Sequence, residues 1–156
     1  MKKVIIIGGG FAGLAAVKQL KKIKKDHSIY LFDKNDYSTL ISSLPDLAGN
    51  KMNEKDLIGS INKQMPKWVN FKKEKITNID LNSKTITSDK NTYDYDHLII
   101  AYGSKTNFFD FNENLNKTYQ MDSFAETKKI KDDFLKMIKN PKNKNVVISG
   151  GGYNGL

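Results

Sequence analysis

One sequence pattern occurs at both ends of the chain and constrains the fold more than any other feature. Near the start Val4–Ile7 precedes Gly8, Gly10 and Gly13, and near the end Val146–Ile148 precedes Gly150, Gly152 and Gly155. Each is a β-branched run followed by G-x-G-x-x-G. In this arrangement a buried strand turns into a helix whose N-terminus binds a dinucleotide pyrophosphate. The sequence therefore predicts two dinucleotide sites and electron transfer between them, although the second copy reaches Leu156 before its helix.

The context of the first copy makes that motif specific. Residues 2–7 predict a buried parallel strand, 11–25 an amphipathic helix and 28–32 a second strand, which together form a βαβ unit. Gly8 permits a tight turn, Gly10 lets the backbone approach a phosphate, and Gly13 lets the helix pack close to the strand.

Asp33 ends the second predicted strand, 20 residues after Gly13. A carboxylate at this position accepts hydrogen bonds from ribose hydroxyls and disfavours a 2′-phosphate, so the first site should not prefer NADP. The alternative for Asp33 is an exposed acid at a strand end. Lys34 beside it is either a solvated lysine or a ligand contact.

The middle of the chain predicts irregular structure, a helix and a small antiparallel meander. Residues 34–52 are irregular, and Asn53 is placed to cap a helix over about 54–66. Residues 69–93 predict short strands with turns between them. Met65, Trp68 and Phe71 are expected to pack beneath this meander.

The last third of the chain predicts two buried strands and a helix. Residues 97–101 and 145–149 are the strands. The helix spans about 123–139, with Ser123 and Glu126 at the spacing of a capping box. Its expected inner face consists of Ile130, Phe134, Met137 and Ile138. The fold class is therefore α/β, with a mostly parallel sheet, helices and an antiparallel β-meander.

Composition excludes several classes of site. The 156 residues contain no cysteine, which excludes disulfides, thiolate metal sites and a redox-active dithiol. All 26 basic residues are lysine and the net charge is +9. Without arginine forks, sequence-specific nucleic-acid binding is not expected, and the lysines form a solvated surface or attract the chain weakly to an anionic membrane. His27 and His97 are far apart in sequence, and we expect no metal site.

No signal peptide is visible at the N-terminus, since residues 1–7 form a short strand rather than a charged segment with a long apolar stretch. No run approaches the ~20 apolar residues that span a bilayer. A cytoplasmic location is expected.

The chain resembles the FAD/NAD(P)-dependent pyridine nucleotide-disulfide oxidoreductases, in which FAD binds first and NAD(P)H second. It is most similar to the type II NADH dehydrogenases, which are single-subunit NADH:quinone oxidoreductases. The segments that carry the resemblance are residues 8–16, 33–37, 44–49, 93–104, 106–109 and 150–155. The missing cysteines set the chain apart from the disulfide reductases and sulfide oxidisers of this superfamily.

The resemblance implies a Rossmann-like FAD/NAD(P)-binding fold and a set of cofactor contacts. The implied FAD-binding residues are Gly8, Gly10, Phe11, Ala12, Gly13, Asp33, Lys34, Pro45, Ile76, Ala101, Tyr102 and Gly103. Pro45 would lie near the isoalloxazine and Ile76 near the adenine. Tyr102 stands where the family usually has threonine. Gly150, Gly152 and Gly155 would begin an incomplete NADH site.

The implied chemistry is hydride transfer from NADH to the flavin N5 and electron release to a small-molecule acceptor such as a quinone. No catalytic residue is assigned, because the cofactor carries that chemistry. In this family the C-terminal part gives peripheral contact with the inner face of the cell membrane. The alternative is a non-catalytic dinucleotide-binding module, or a truncated remnant that needs a partner chain.

The predicted domains are 1–110, the N-terminal part of an FAD-binding domain, and 111–156, a connecting helix and the truncated start of an NAD(P)H-binding domain. The apolar strand at 145–149 would lack a covering helix. Self-association of the isolated chain is therefore expected.

Overall fold

The computed structural model describes residues 1–106, 118–140, 142 and 145–150. The α-helices and β-strands in these ranges are β1 (Lys2–Ile7), α1 (Phe11–Leu20), β2 (His27–Asp33), β3 (Tyr37–Thr39), α2 (Leu44–Ala48), α3 (Glu54–Leu57), β4 (Ile58–Ser60), α4 (Ile61–Gln64), β5 (Val69–Lys73), β6 (Ile76–Asp80), β7 (Thr85–Ser88), β8 (Thr92–Asp94), β9 (His97–Ile100) and α5 (Phe124–Lys139). The chain divides into two compact units, one of residues 1–38 with 59–104 and one of residues 39–58 with 105–156.

A parallel sheet forms the centre of the first unit. Its strand order is β5-β2-β1-β9, so β1 lies between two parallel neighbours. Val4–Ile7 are all buried, as expected for an apolar run that is covered on both faces. The carboxyl ends of β1, β2 and β9 meet at one edge of this sheet, where the first glycine motif begins.

The two faces of the sheet have separate apolar cores. On one face Val17 of α1 packs with Val4, Ile6, Ile29, Leu31, Ile61 and Val69. On the other face Ile5, Ile7 and Phe32 pack with Ile86 and Tyr95. The meander β6-β7-β8 is antiparallel and covers this second face through Ile86.

The prediction that the meander begins at Val69 is wrong. Residues 69–73 form β5, which pairs in parallel with β2. Alternation along this strand places Val69 and Phe71 on the face covered by α1. Met65 and Trp68 pack against the same cluster, and so not beneath the meander as expected.

The predicted helix over 54–66 is interrupted by a strand. β4 occupies 58–60 and forms a two-stranded sheet with β3, which lies in the stretch predicted as irregular. The backbone on each side of β4 is bonded to the segment around β3: Leu40 N–H donates to the Leu57 carbonyl (2.9 Å) and Ile61 N–H to the Asp36 carbonyl (2.8 Å). These non-local bonds, together with Gly59, outweigh the helical spacing of the apolar residues.

The second unit has its own small core. Leu44 and Leu47 of α2 and Leu57 of α3 are buried, with Met121 and Phe124 packed against them. Ser123 caps α5 as predicted, with its Oγ accepting from Glu126 N–H at 3.3 Å. The predicted inner face is wrong at Phe134 and Ile138, which are exposed. The reason is that α2 has only five residues. Its core, formed with Leu57, therefore contacts α5 only near the start of that helix, at Phe124.

The predicted strand at 145–149 is absent from the structure. Residues 145–150 are irregular, and the side chain of Val147 is 90% exposed. A parallel strand requires hydrogen-bonded neighbours, and no strand of the described ranges pairs with this segment.

Candidate dinucleotide-binding site

The first glycine motif joins β1 to α1 at the carboxyl edge of the parallel sheet. Gly8 has a φ of +106°, a conformation that side chains rarely adopt. A Cβ there would also overlap the Ala101 carbonyl and lie 2.8 Å from the Tyr102 Cα. The loop is fixed on both sides, because Gly8 N–H donates to the Phe32 carbonyl (2.7 Å) and Ala101 N–H donates to the Ile7 carbonyl (2.8 Å).

Gly10 and Gly13 differ in the space around them, since Gly13 is crowded by backbone and Gly10 is open. A Cβ on Gly13 would overlap the carbonyl oxygen of Gly8, so the helix packs on the strand only if this residue is glycine. A Cβ on Gly10 would meet nothing within 4 Å. Gly10 is the N-cap of α1 and makes no side-chain cap. The first-turn N–H groups, next to exposed Phe11 and Ala12, are thus available to an anion such as a pyrophosphate.

Asp33 lies beside this loop at the end of β2. Its Oδ2 accepts from Gly9 N–H at 2.6 Å and its Oδ1 accepts from Asn35 N–H at 2.8 Å. Each carboxylate oxygen is thereby held by one backbone donor. A carboxylate oxygen has two lone pairs, so both retain one for the hydroxyl groups of a ribose.

A second acid on the same segment is held by a lysine. Asp36 forms a 2.8 Å ion pair with Lys73 of β5. The hydrogen bond from Lys73 is the main cause that holds the pKa of the Asp36 carboxyl below its ordinary value of 3.8. Lys34, between the two acids, is exposed.

Residues that follow β9 border the glycine loop. Ala101 contacts Gly8 through its carbonyl, and the Tyr102 side chain is 71% exposed. Gly103 has a φ of +81° and open space where a Cβ would stand. Ile76 is the first residue of β6 and packs at the border of the core beneath the meander.

The structure does not bring all the predicted site residues together within one unit. The first unit contains Gly8, Gly10, Phe11, Ala12, Gly13, Asp33, Lys34, Ile76, Ala101, Tyr102 and Gly103. Pro45 belongs to the second unit, in the first turn of α2. Gly150 has a φ of +110° in the irregular segment, whereas Gly152 and Gly155 lie outside the described residues.

Sequence reasoning missed two residues of this site. Gly9 donates to Asp33, and Ile61 of α4 lies against Gly9. The sequence does contain a signal for Gly9. The motif allows any residue at this position, so the presence of glycine indicates that a side chain would not fit there. It carries none for Ile61, whose contact depends on the path of the chain after β4.

His27 and His97, far apart in sequence, have ring centroids 6.1 Å apart. His27 Nδ1 lies 3.2 Å from the Ile23 carbonyl. In the described part of the chain, no group of three or more potential ligand residues could hold a metal ion. No helix within the described ranges is long and apolar enough to cross a membrane.

Known proteins match the chain along nearly its whole length. The family model described as pyridine nucleotide-disulphide oxidoreductase matches residues 2–156. The type II NADH:quinone oxidoreductase of Staphylococcus epidermidis is 30% identical over 166 residues, which cover 99% of this chain and 41% of that protein. The Staphylococcus aureus protein of the same name is 25% identical with the same coverage. The chain thus spans less than half of these relatives.

Two solved structures resemble the fold. The sulfide:quinone oxidoreductase of Aquifex aeolicus has a TM-score of 0.80 and 26% identity, over 90% of this chain and 33% of that one. The Plasmodium falciparum NDH2, solved in complex with NADH, has a TM-score of 0.76 and 25% identity, over 94% of this chain and 31% of that one. These likenesses, the parallel sheet and the antiparallel meander confirm the predicted Rossmann-like α/β fold class.

Proposed function

The chain belongs to the pyridine nucleotide-disulphide oxidoreductase family, and we propose that it is the FAD-binding portion of a type II NADH:quinone oxidoreductase. One observation carries the proposal: the uncapped start of α1, the open space at Gly10 and the oriented Asp33 carboxylate all lie at one glycine loop. A pyrophosphate and its neighbouring ribose require this combination.

The residues fit a dinucleotide by both space and charge. Gly8 and Gly13 are crowded by backbone and hold the loop in shape, whereas Gly10 and Gly103 leave room for a ligand. The α1 N-terminus would hold the pyrophosphate, Asp33 the adenosine ribose, and Ile76 the adenine. When bound, FAD supplies the acceptor for the hydride of NADH.

Further contacts extend the proposal around the cofactor. Ala101, Tyr102 and Gly103 would approach the FAD from the end of β9, and exposed Phe11, Ala12 and Lys34 from the loop side. Pro45 would lie near the isoalloxazine. Gly150, Gly152 and Gly155 would begin the NADH site.

The electron acceptor and the cellular location are inferred from the family to which the chain belongs. The matched Staphylococcus proteins are named NADH:quinone oxidoreductases, which supports a quinone as the electron acceptor. A cytoplasmic location, with peripheral attachment at the inner face of the cell membrane, belongs to the same proposal.

A second candidate is a dinucleotide-binding module without catalysis of its own, or a remnant that a partner chain completes. The irregular, exposed segment 145–150 favours it, since a strand should precede the NADH loop there. The two candidates share the FAD site and differ in whether NADH reduces the bound flavin.

A titration of the purified chain with FAD tests the proposal, with flavin fluorescence and the visible spectrum as readouts and NADH added at the end. FAD binding followed by bleaching means that an NADH site is complete and that the chain itself is catalytic. FAD binding without bleaching means that the FAD site forms and the NADH site is inoperative, as expected for an FAD-binding portion or a non-catalytic module. An absence of FAD binding overturns the proposed FAD site and supports a remnant that needs a partner chain.

A matched pair of variants checks that any binding uses the glycine-loop site. Asp33→Asn should weaken FAD binding about tenfold or more, because it removes a charged acceptor from the ribose. Asp26→Asn makes the same change at the other end of β2, on an exposed side chain, and should leave the affinity unchanged. Equal affinities for the two variants would place FAD elsewhere.

A further inference from the structure

We infer that Ile61 is a positioning residue for the proposed FAD site, because its side chain holds Gly9 against the Asp33 carboxylate. The inference rests on the proposed function and adds a residue from α4, which lies far along the chain from the glycine motif. It also explains why the motif has glycine at its second position in this chain.

The first observation is the space around Gly9. A Cβ built on Gly9 would lie 2.5 Å from Ile61 Cδ1 and 3.4 Å from Ile61 Cγ1. Real Cβ atoms essentially never make contacts as short as the first of these. Ile61 is completely buried, so its terminal methyl has packed neighbours and can withdraw only by disturbing them. Glycine at position 9 is therefore matched to isoleucine at position 61.

The second observation is that the same point touches the ribose-binding acid. The Cβ position of Gly9 is 3.3 Å from Asp33 Oδ2, and Gly9 N–H donates to that oxygen at 2.6 Å. Asn35 N–H holds the other oxygen. A displacement of Gly9 away from Ile61 would therefore lengthen or misalign the bond that orients Asp33.

The third observation is that Ile61 is itself held from two sides. Its N–H donates to the Asp36 carbonyl at 2.8 Å, which ties the start of α4 to the segment that follows Asp33. Its side chain packs in the core cluster with Val17 and Leu31. Ile61 thus links the α1 face of the sheet to the loop at the carboxyl ends of β1 and β2.

A double-mutant cycle tests this role. It compares the wild-type chain, Gly9→Ala, Ile61→Val and the double variant. Ile61→Val removes only Cδ1, the atom that a Cβ on residue 9 would strike. Gly9→Ala should weaken FAD binding about tenfold, and Ile61→Val alone less than about threefold. The double variant should regain most of the FAD affinity that Gly9→Ala loses, because removal of one methyl group relieves the 2.5 Å contact and leaves only the 3.3 Å contact with Asp33 Oδ2.

Two further measurements separate positioning from general packing. ADP carries the adenine, its ribose and the pyrophosphate without the flavin, and its affinity should fall with Gly9→Ala by the same factor as that of FAD. Ile29→Val makes the same change in a buried residue of the same cluster, and it should not rescue Gly9→Ala.

Failure of Ile61→Val to restore FAD binding in the double variant would overturn the role of Ile61. Rescue of the urea midpoint of unfolding without rescue of FAD affinity would also overturn it, because Ile61 would then be a packing residue only. If the wild-type chain does not bind FAD, the proposed function fails and this role fails with it. Binding by the wild type without rescue leaves the proposed function standing.

Discussion

Two segments of this chain have almost the same sequence pattern and different structures. Val4–Gly13 forms a buried central strand, a tight glycine loop and a helix. The second segment has the same apolar run and glycine spacing, but its described residues 145–150 are irregular, with Val147 90% exposed.

The difference shows what an apolar run needs before it becomes a strand. β1 has hydrogen-bonded parallel neighbours on both sides, β2 and β9, and an apolar core on each face. Val146–Ile148 has no strand partner among the described residues. Local propensity is the same in both copies, so neighbouring strands and covering side chains decide the outcome.

The largest expected effect comes from one substitution made in both copies. Ile6 is fully buried and Ile148 is 68% exposed. Ile6→Ala should lower the free energy of unfolding by about 2–5 kcal/mol, because it leaves a cavity in the core, whereas Ile148→Ala should change it by less than about 0.5 kcal/mol. Urea unfolding followed by circular dichroism measures both. Similar losses would mean that Ile148 is packed in solution.

The glycines offer a second, smaller contrast. Gly13→Ala places a methyl group on the Gly8 carbonyl and should cost about 1–3 kcal/mol of stability and abolish FAD binding. Gly150→Ala introduces a methyl group into open space, so its cost is that of the positive φ alone, about 1–2 kcal/mol. Melting temperature and FAD titration report the two effects. FAD binding that survives in Gly13→Ala would show that the helix can separate from the strand.

Exposure of the second copy predicts self-association of the chain. Val147→Lys should reduce association at tens of micromolar, measured by size-exclusion chromatography with light scattering, because it places a charge within an exposed apolar run. Gln19→Lys adds the same charge at an exposed position of α1 and controls for net charge. A monomeric wild-type chain would contradict the prediction.

The smallest expected effect is electrostatic and concerns the segment after β2, beside the first copy. The pKa of Asp36 is lowered by its hydrogen bond from Lys73, so the ionised carboxylate stabilises the folded state above its ordinary pKa of 3.8. That contribution is lost as the pH falls through the lower pKa of the folded state. Asp36→Asn should therefore lower the urea midpoint slightly at about pH 6, and the difference from wild type should disappear in stronger acid.

The Lys73→Ala background serves as the control for this pH effect. Without the lysine, Asp36→Asn should have little effect on the midpoint at either pH. A difference between wild type and Asp36→Asn that stays constant from neutral to acid conditions would show that the effect comes from the side chain's shape and not its charge.

Much of the first unit could be predicted because its signals are local. The glycine spacing, the apolar run at Val4–Ile7 and the acid at Asp33 identify the loop and its neighbours without knowledge of the fold. Ser123 was also recognisable, because a cap depends only on residues three positions apart. The strand with which a segment pairs could not be predicted. Residues 69–71 have the composition of a meander strand, but they pair with β2 instead.

The sequence by itself determined the family, the α/β class and the position of the glycine loop, since these follow from short-range patterns of apolar residues and glycines. Only the tertiary structure decided that β4 interrupts a helical pattern, that Ile61 lies on Gly9, and that the second apolar run has no strand partner among the described residues. The physical reason is the same in each case. Strand pairing and side-chain contact depend on segments distant in the chain, and no local pattern specifies which segment will be the neighbour.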